Sequence, residues 1–141
     1  MKLEYDITSS TFKYVESLWF NYHNMINKMH DIERDVINEP DINSDIKAKG
    51  ITSDPTAQAI FRRDYARRNG QYRTLERQVQ AIADVYNELP DDYKKVANER
   101  YFCDKKRNWN EIAKKIRYSE RHARRIRDMI VVATAEKLHL W

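Results

Sequence analysis

Glycine, proline and cysteine are scarce in this chain of 141 residues, which has two glycines, three prolines and one cysteine. The two residue types that most often interrupt helices are therefore rare, whereas charged residues make up 34% of the chain. This composition predicts an all-α, strongly solvated protein with almost no strand. The single cysteine, Cys103, cannot form an internal disulfide, so the fold does not depend on an oxidising compartment, and we expect a buried thiol.

Signals for membranes and for catalysis are missing as well. No apolar run approaches the length of a membrane span, and the opening residues lack the apolar core of a signal peptide, so we predict a cytoplasmic protein that contacts no membrane. The sequence has no zinc-type spacing of histidine and cysteine, no glycine-rich phosphate loop and no nucleophile motif. His23 and His30, two turns apart beside Asp31, fit the polar face of a helix better than a metal site. We therefore expect neither an enzyme nor a cofactor.

Residues 1–89 predict two long helices joined by a loop, forming a helical hairpin or a coiled-coil dimerisation region. The first helix runs from Phe12 to about Asn38, capped by the Ser9–Thr11 cluster and ended by Pro40, and it carries a heptad seam. Residues 40–54 lack sustained periodicity and are predicted to form a long connection. The second helix begins at Pro55 after an Asp54 cap and runs to Leu89, with a kink or frayed turn near Gly70. The seam residues of the first helix are Val15, Leu18, Tyr22, Met25, Met29, Ile32 and Val36.

The second helix carries a seam of its own, from Phe61 through Tyr72 to Leu89, and the two seams can meet within one chain or across two copies. An antiparallel hairpin would join them inside the chain, and pairing with a second copy would make a homodimer. We favour the homodimer, because the seam is longer than one small domain needs and because a symmetric dimer makes each contact with its ligand twice.

Residues 90–141 predict a smaller helical domain built around Trp109–Asp128. A short helix capped by Asp91 or Asp92 comes first. Two further helices then meet at Arg117–Ser119, since Ser119 is a good N-cap and the apolar spacing breaks there. This is the pattern of a helix-turn-helix. Arg117 stands where glycine is common, so it must take a left-handed conformation or a variant turn.

Charge is distributed unevenly, and the excess of basic residues lies in the second half. Residues 1–60 carry six basic and ten acidic side chains, and residues 61–141 carry twenty and twelve. Ten of the basic side chains fall between Lys105 and Arg127, against two acids, Glu111 and Glu120. A basic run alone is often only a solvated face, but one that coincides with a helix-turn-helix core favours duplex DNA as the partner.

The C-terminal pattern resembles region four of bacterial sigma factors. The residues that carry the resemblance are LPDDYKKVANERYF followed by NWNEIAKKIRYSERHARRIRDMIVVATAEKLHL. The chain from residue 12 onward is also similar to the RinA-type transcriptional activators of phages, with the ArpU type as a neighbour, and Ile51, Pro55–Ala57, Ala59 and Ile60 match that family's loop-to-helix segment. In place of the acidic residue that this family often has after Pro-Thr, the chain has Ala57 and Gln58.

This resemblance implies a sequence-specific activator of phage late genes, such as packaging and structural genes, in the bacterial host cytoplasm. Host RNA polymerase would be a further partner. The base-reading positions carried over are Glu120, Arg121 and Arg124, with His122 and Arg125 beside them.

The residue chemistry agrees in part with this set. Arginine can bond a guanine edge through two hydrogen bonds, and glutamate can accept one from cytosine. Basic and hydroxyl side chains around this helix are predicted to contact phosphates. Such contacts fix the position of the protein along the DNA without reading its sequence. These side chains are Lys105, Lys106, Arg107, Lys114, Lys115, Arg117 and Ser119. We expect Trp109 to be a core or staple residue.

A second function of another class fits the same parts. A small terminase-like packaging subunit also combines a helix-turn-helix with an oligomerising coil. Such subunits typically place the DNA-binding unit first, whereas here it comes last, which favours the activator.

Overall fold

All regular structure in the computed structural model, which describes residues 7–37 and 40–140, is helical. This confirms the all-α prediction for the described residues. The Gly70 prediction is also confirmed, because a turn over residues 67–69 divides the region that follows Pro55. In chain order the helices are α1 (Ser9–Phe20), α2 (Tyr22–Ile37), α3 (Pro40–Ala48), α4 (Pro55–Ala66), α5 (Gly70–Glu88), α6 (Asp91–Tyr101), α7 (Trp109–Ile116) and α8 (Glu120–Lys137).

The helices group into two compact units. The first holds the described residues up to Tyr22 together with those from Gln80 onward, and the second is His23–Val79. The sequence-based boundary at Leu89 divides the chain at a different place.

The core of the second unit overturns one prediction. The predicted loop over residues 40–54 contains a helix, α3, which packs against α4. Ile42 and Ile46 lie one turn apart on α3 and are buried in a core with Val36, Ala66 and Tyr72. Two large apolar residues in nine are too few to show a helical period in the sequence, and tertiary burial supplies the stabilisation.

The first unit is assembled around α8, which packs against α1, α6 and α7. The distal half of α8 is buried at Ile130, Val131, Val132 and Ala135, as expected for a long helix whose far end serves the core. The predicted helix from Phe12 to Asn38 is wrong as one element, since α1 ends before Asn21. Asn21 leaves helical geometry, a conformation that asparagine accepts readily because its side chain can replace helical hydrogen bonds. Asn38 lies outside the described residues.

Two predicted caps are corrected and two are confirmed. Thr8, not the cluster after it, caps α1, because its side chain accepts from the backbone N–H of Thr11. Neither of the aspartates caps α6, which begins after Pro90 with both acids in its first turn. Asp54 caps α4 and Ser119 caps α8 as predicted, and the side chain of Asn108 caps α7.

Candidate nucleic-acid interface

A three-residue turn connects α7 to α8. Arg117 has φ 61° and ψ 37°, so it takes the left-handed conformation that the sequence required of it. The backbone N–H groups of Arg117 and Tyr118 both donate to the carbonyl oxygen of Ala113, which closes the end of α7. Ser119 then caps α8 by accepting from the backbone N–H of His122 at 3.1 Å. The turn is therefore fixed by backbone hydrogen bonds on both sides.

Tyr118 attaches this turn to α6. Its hydroxyl donates to Oδ2 of Asp92 at 2.9 Å, and this hydrogen bond is the main reason that the pKa of Tyr118 is raised. The ring of His122 packs edge-on against the Tyr118 ring, with centroids 4.7 Å apart. Asp92, which sequence reasoning considered only as a helix cap, is therefore a support for the turn.

The predicted base-contact residues occupy the first two turns of α8. Glu120, Arg121, Arg124 and Arg125 are exposed, whereas Ala123 and Ile126 are buried. Because residues four apart share a helix face, Glu120 lies beside Arg124 and Arg121 beside Arg125. His122 differs from the other four, since it is half-buried against Tyr118.

Most of the predicted phosphate contacts are exposed. Lys114 and Lys115 lie in the last turn of α7, and Arg117 and Ser119 lie in the turn that follows. These four residues are exposed, and so are Lys105 and Lys106 in the segment before α7. Exposed cationic side chains therefore come from one loop, one turn and two helices.

Arg107 does not belong with this exposed set. Its side chain is only 16% exposed, and its Nε lies 3.2 Å from Oε2 of Glu99. Lys115 approaches the same carboxylate at 3.8 Å but keeps half of its side chain exposed. Arg107 thus stabilises the segment before α7 from the inside, a role that a count of basic residues could not distinguish from a surface one.

A nearly buried carboxylate on α1 holds α6 and α8 in place. Glu16 accepts a hydrogen bond from the Tyr101 hydroxyl at 2.8 Å and ion-pairs with Arg100 at 3.3 Å and Arg127 at 3.5 Å. Arg127 also binds Asp128 at 2.7 Å. Burial, followed by the charge of Glu16 and this hydrogen bond, raises the pKa of Tyr101 well above its usual value. Sequence reasoning missed this network, because Glu16 and Arg100 are 84 positions apart.

Trp109 is enclosed by arginines. The guanidinium groups of Arg100, Arg127 and Arg124 lie 4.6, 5.0 and 5.9 Å from its ring. Trp109 is half-buried, and cation–π attraction to groups from α6 and α8 gives it a packing role at the start of α7. Arg124, although exposed, is thereby steadied against the indole.

Cys103 corrects another prediction, since its side chain is only partly buried. A backbone hydrogen bond from Lys105 and a side-chain hydrogen bond from Arg107 lower the pKa of its thiol. The short loop before α7 therefore brings the thiol close to the guanidinium of Arg107, which the expectation of a buried thiol did not foresee.

Other kinds of site are not found among the described residues. No group of three or more histidine, cysteine or carboxylate side chains there could hold a metal ion. Asp31, the acid beside His30, is ion-paired with Arg34. None of the described helices combines the length and apolar character that crossing a bilayer requires.

Comparison with known proteins assigns the chain to a family. The helices and the cationic face define a small all-α protein with a charged surface on α7 and α8. Residues 19–136 match the model of a family described as "Protein of unknown function (DUF722)", and the chain belongs to that family. No curated protein and no solved structure matches the chain.

Proposed function

We propose that the protein is a sequence-specific activator of phage late genes that binds duplex DNA through α7 and α8. The supporting observation is the first half of α8, where four charged side chains are exposed on a helix whose other face is buried. In this proposal α7, the turn and α8 form a helix-turn-helix similar to sigma region four, and the start of α8 enters the major groove.

The proposed contacts follow the exposure of each residue. Arg121, Arg124 and Arg125 reach base edges as bidentate donors, and Glu120 accepts from cytosine or orients a neighbouring arginine. His122 supports the turn by packing against Tyr118, and it contacts DNA only at the edge of the proposed interface. Lys105, Lys106, Lys114, Lys115, Arg117 and Ser119 bind phosphates, and the Ser119 oxygen that caps α8 leaves its hydroxyl hydrogen free to donate.

The coiled-coil homodimer belongs to this proposal as well. Val15, Leu18 and Tyr72 from the predicted seams are buried within single units. A dimer would therefore need surface outside those seam positions. Light scattering gives the oligomeric state directly, and a large ring-like oligomer would favour the packaging-subunit alternative.

Selection of binding sites from a pool of random duplexes tests the proposal. The wild type should enrich one motif, and Arg121→Ala should relax that motif at one or two positions. A matched control, Arg34→Ala, removes the same charge from α2 and should leave the motif unchanged. Failure of the wild type to enrich any sequence, together with no association at low salt, would reject sequence-specific DNA binding.

A reporter assay tests activation separately. The enriched motif placed beside a phage promoter should raise expression only when the protein is present, and Arg121→Ala should reduce that response. DNA binding without any rise in expression would leave a DNA-binding protein of another class, such as the packaging subunit.

A further inference from the structure

The corner between α4 and α5 is a second arginine-rich region, and the proposed interface does not use it. Residues 62–77 include six arginines and no lysine, against two acids, Asp64 and Glu76. All of them lie in the second unit, whereas α7 and α8 lie in the first. The six are Arg62, Arg63, Arg67, Arg68, Arg73 and Arg77.

Both acids of this region bind the same arginine. The Nε of Arg67 lies 3.1 Å from each carboxylate oxygen of Glu76, and its Nη1 lies 2.9 Å from Oδ1 of Asp64. These bonds join the end of α4 to α5. Because Arg67 takes up both local carboxylates, the positive charge of its neighbours is not compensated within the corner.

The neighbouring arginines face solvent. Arg63, Arg68, Arg73 and Arg77 are exposed, and among the side chains that the structure describes no carboxylate forms an ion pair with any of them. Arg73 and Arg77 are one turn apart on α5, so they project from one helix face. These four residues are called the arginine corner below.

Two contacts give the corner a defined shape. The Arg68 guanidinium lies 4.3 Å from the centroid of the Tyr65 ring, which restricts its motion. The Nη2 of Arg73 lies 3.9 Å from the point where a Cβ on Gly70 would stand, so this guanidinium bends back over the first turn of α5. Two cationic groups are thereby drawn toward the turn between the helices.

We propose that the arginine corner is a second DNA-binding surface, which contacts the phosphate backbone of duplex DNA without reading sequence. Guanidinium groups match phosphate oxygens through paired hydrogen bonds and are weakly hydrated. Four exposed arginines without an ion-pair partner among the described side chains also create the local positive potential that a polyanion seeks.

An acidic protein partner fits the corner less well than DNA does. Protein interfaces concentrate apolar and aromatic side chains at their centre. Among the described residues of this unit, Ile60 is the one exposed large hydrophobic side chain. A single isoleucine beside four arginines does not supply such a centre.

The inference rests on the proposed function only in sharing its ligand, duplex DNA. It adds a surface on the other unit. The protein would therefore have one site that reads sequence and one that adds affinity for any sequence, including sites flanking the operator.

The test measures binding of the full chain to a random-sequence duplex over a series of salt concentrations. A triple variant, Arg68→Gln, Arg73→Gln and Arg77→Gln, should weaken binding and lower the salt slope by about 0.9 for each phosphate that it no longer neutralises. The matched control, Lys28→Gln, Arg34→Gln and Lys47→Gln, removes the same charge from exposed positions of the same unit. It should change the slope far less.

A third variant separates this inference from the proposed function. Lys114→Gln, Arg121→Gln and Arg125→Gln remove charge from α7 and α8. If this variant leaves binding unchanged while the corner variant weakens it, the proposed interface fails and the arginine corner stands. Equal slopes for the corner variant and its matched control overturn the arginine corner.

Two further readouts complete the test. Thermal unfolding should be unchanged in the corner variant, because its side chains are exposed. If the triple variant unfolds, the single change Arg73→Gln repeats the comparison.

Light scattering tests whether a second copy of the chain is the partner of the arginine corner. A loss of self-association with an unchanged salt slope would mean that the corner binds another copy, and it would overturn the inference.

Discussion

The indole Nε1 of Trp19 on α1 donates a hydrogen bond to Oγ1 of Thr134 on α8, at 3.0 Å between two side chains that solvent does not reach. Thr134 in turn donates to the carbonyl oxygen of Ile130 at 2.8 Å, so its hydroxyl both accepts and donates a hydrogen bond. An N-terminal helix is thus joined to the helix that carries the proposed base contacts. The pairing fixes how α1 and α8 are aligned.

Removing this acceptor should destabilise the first unit. Thr134→Val keeps the shape of the side chain but leaves the Trp19 N–H buried without a partner, which costs about 1 to 3 kcal/mol. Urea unfolding measures the loss. In a double-mutant cycle, Trp19→Phe should make the additional Thr134→Val change nearly neutral, and simple additivity of the two changes would show that the hydrogen bond contributes nothing.

Replacing Glu16 should leave Arg100 without its ion-pair partner and Arg127 with Asp128 alone. Glu16→Ala is expected to destabilise the protein by on the order of 3 kcal/mol, because breaking a largely buried ion pair leaves charge uncompensated. Denaturant unfolding again gives the value. The control is Asp31→Ala, which breaks an exposed ion pair and should cost at most about 1 kcal/mol. Similar losses for the two variants would contradict a special role for Glu16.

Arg117→Gly should make the protein more stable and a weaker DNA binder. Glycine adopts a positive φ without the steric cost that a side chain carries, which is about 1 to 2 kcal/mol. The same change removes one predicted phosphate contact. Thermal unfolding and DNA titration measure the two effects on one variant, and a fall in stability would argue against strain at this turn.

The sequence-reading and phosphate-binding roles should separate in binding assays. Arg121→Ala or Arg124→Ala is expected to cost about 1 to 3 kcal/mol on a cognate site and to reduce discrimination there. Lys115→Ala should weaken binding to all sequences alike and flatten the salt slope. Fluorescence anisotropy measures the affinity of each variant for the cognate and for the random duplex. Equal losses on the two duplexes for all three variants would remove the assigned roles.

Stability should fall at alkaline pH, with Tyr101 as one cause. The pKa of Tyr101 is higher in the folded protein than in the unfolded chain, so the folded form holds its proton after the unfolded form has lost it. The contribution of the protonated Tyr101 to the free energy of unfolding is complete below about pH 10 and is lost as pH rises beyond that value. Tyr101→Phe should therefore flatten the decline of unfolding free energy above about pH 10. A decline as steep as that of the wild type would exclude Tyr101 as a cause.

Local patterns predicted the turn at Arg117–Ser119 well. A few neighbouring residues indicate the apolar stripe, the Ser119 cap and the left-handed conformation of Arg117. The structure has each as predicted. Capping and turn conformation depend on short-range sterics and backbone hydrogen bonds. A prediction made from a short local segment can therefore be correct without knowledge of the rest of the chain.

Partners distant in sequence were not predictable from the same patterns. Heptad seams on the two N-terminal helices predicted either an antiparallel hairpin or pairing with a second copy, and they gave no sign that α1 packs on α8. An apolar stripe states that a helix has a buried face but not which helix covers it. The α3 helix was missed for a related reason, since Ile42 and Ile46 gain their stabilisation only from the core around them.

The sequence by itself determined the helical class, the tight turn between two helices near the C-terminus and the concentration of positive charge there. It did so because composition, periodicity and capping act locally along the chain. The tertiary structure decided which charges are exposed. It turned Arg127 and Arg107 inward to Glu16 and Glu99, left Arg121 and Arg125 in solvent, and assigned α1 to the unit of α8. Side chains of the same type acquire different roles when folding brings a distant carboxylate beside one and leaves another in water.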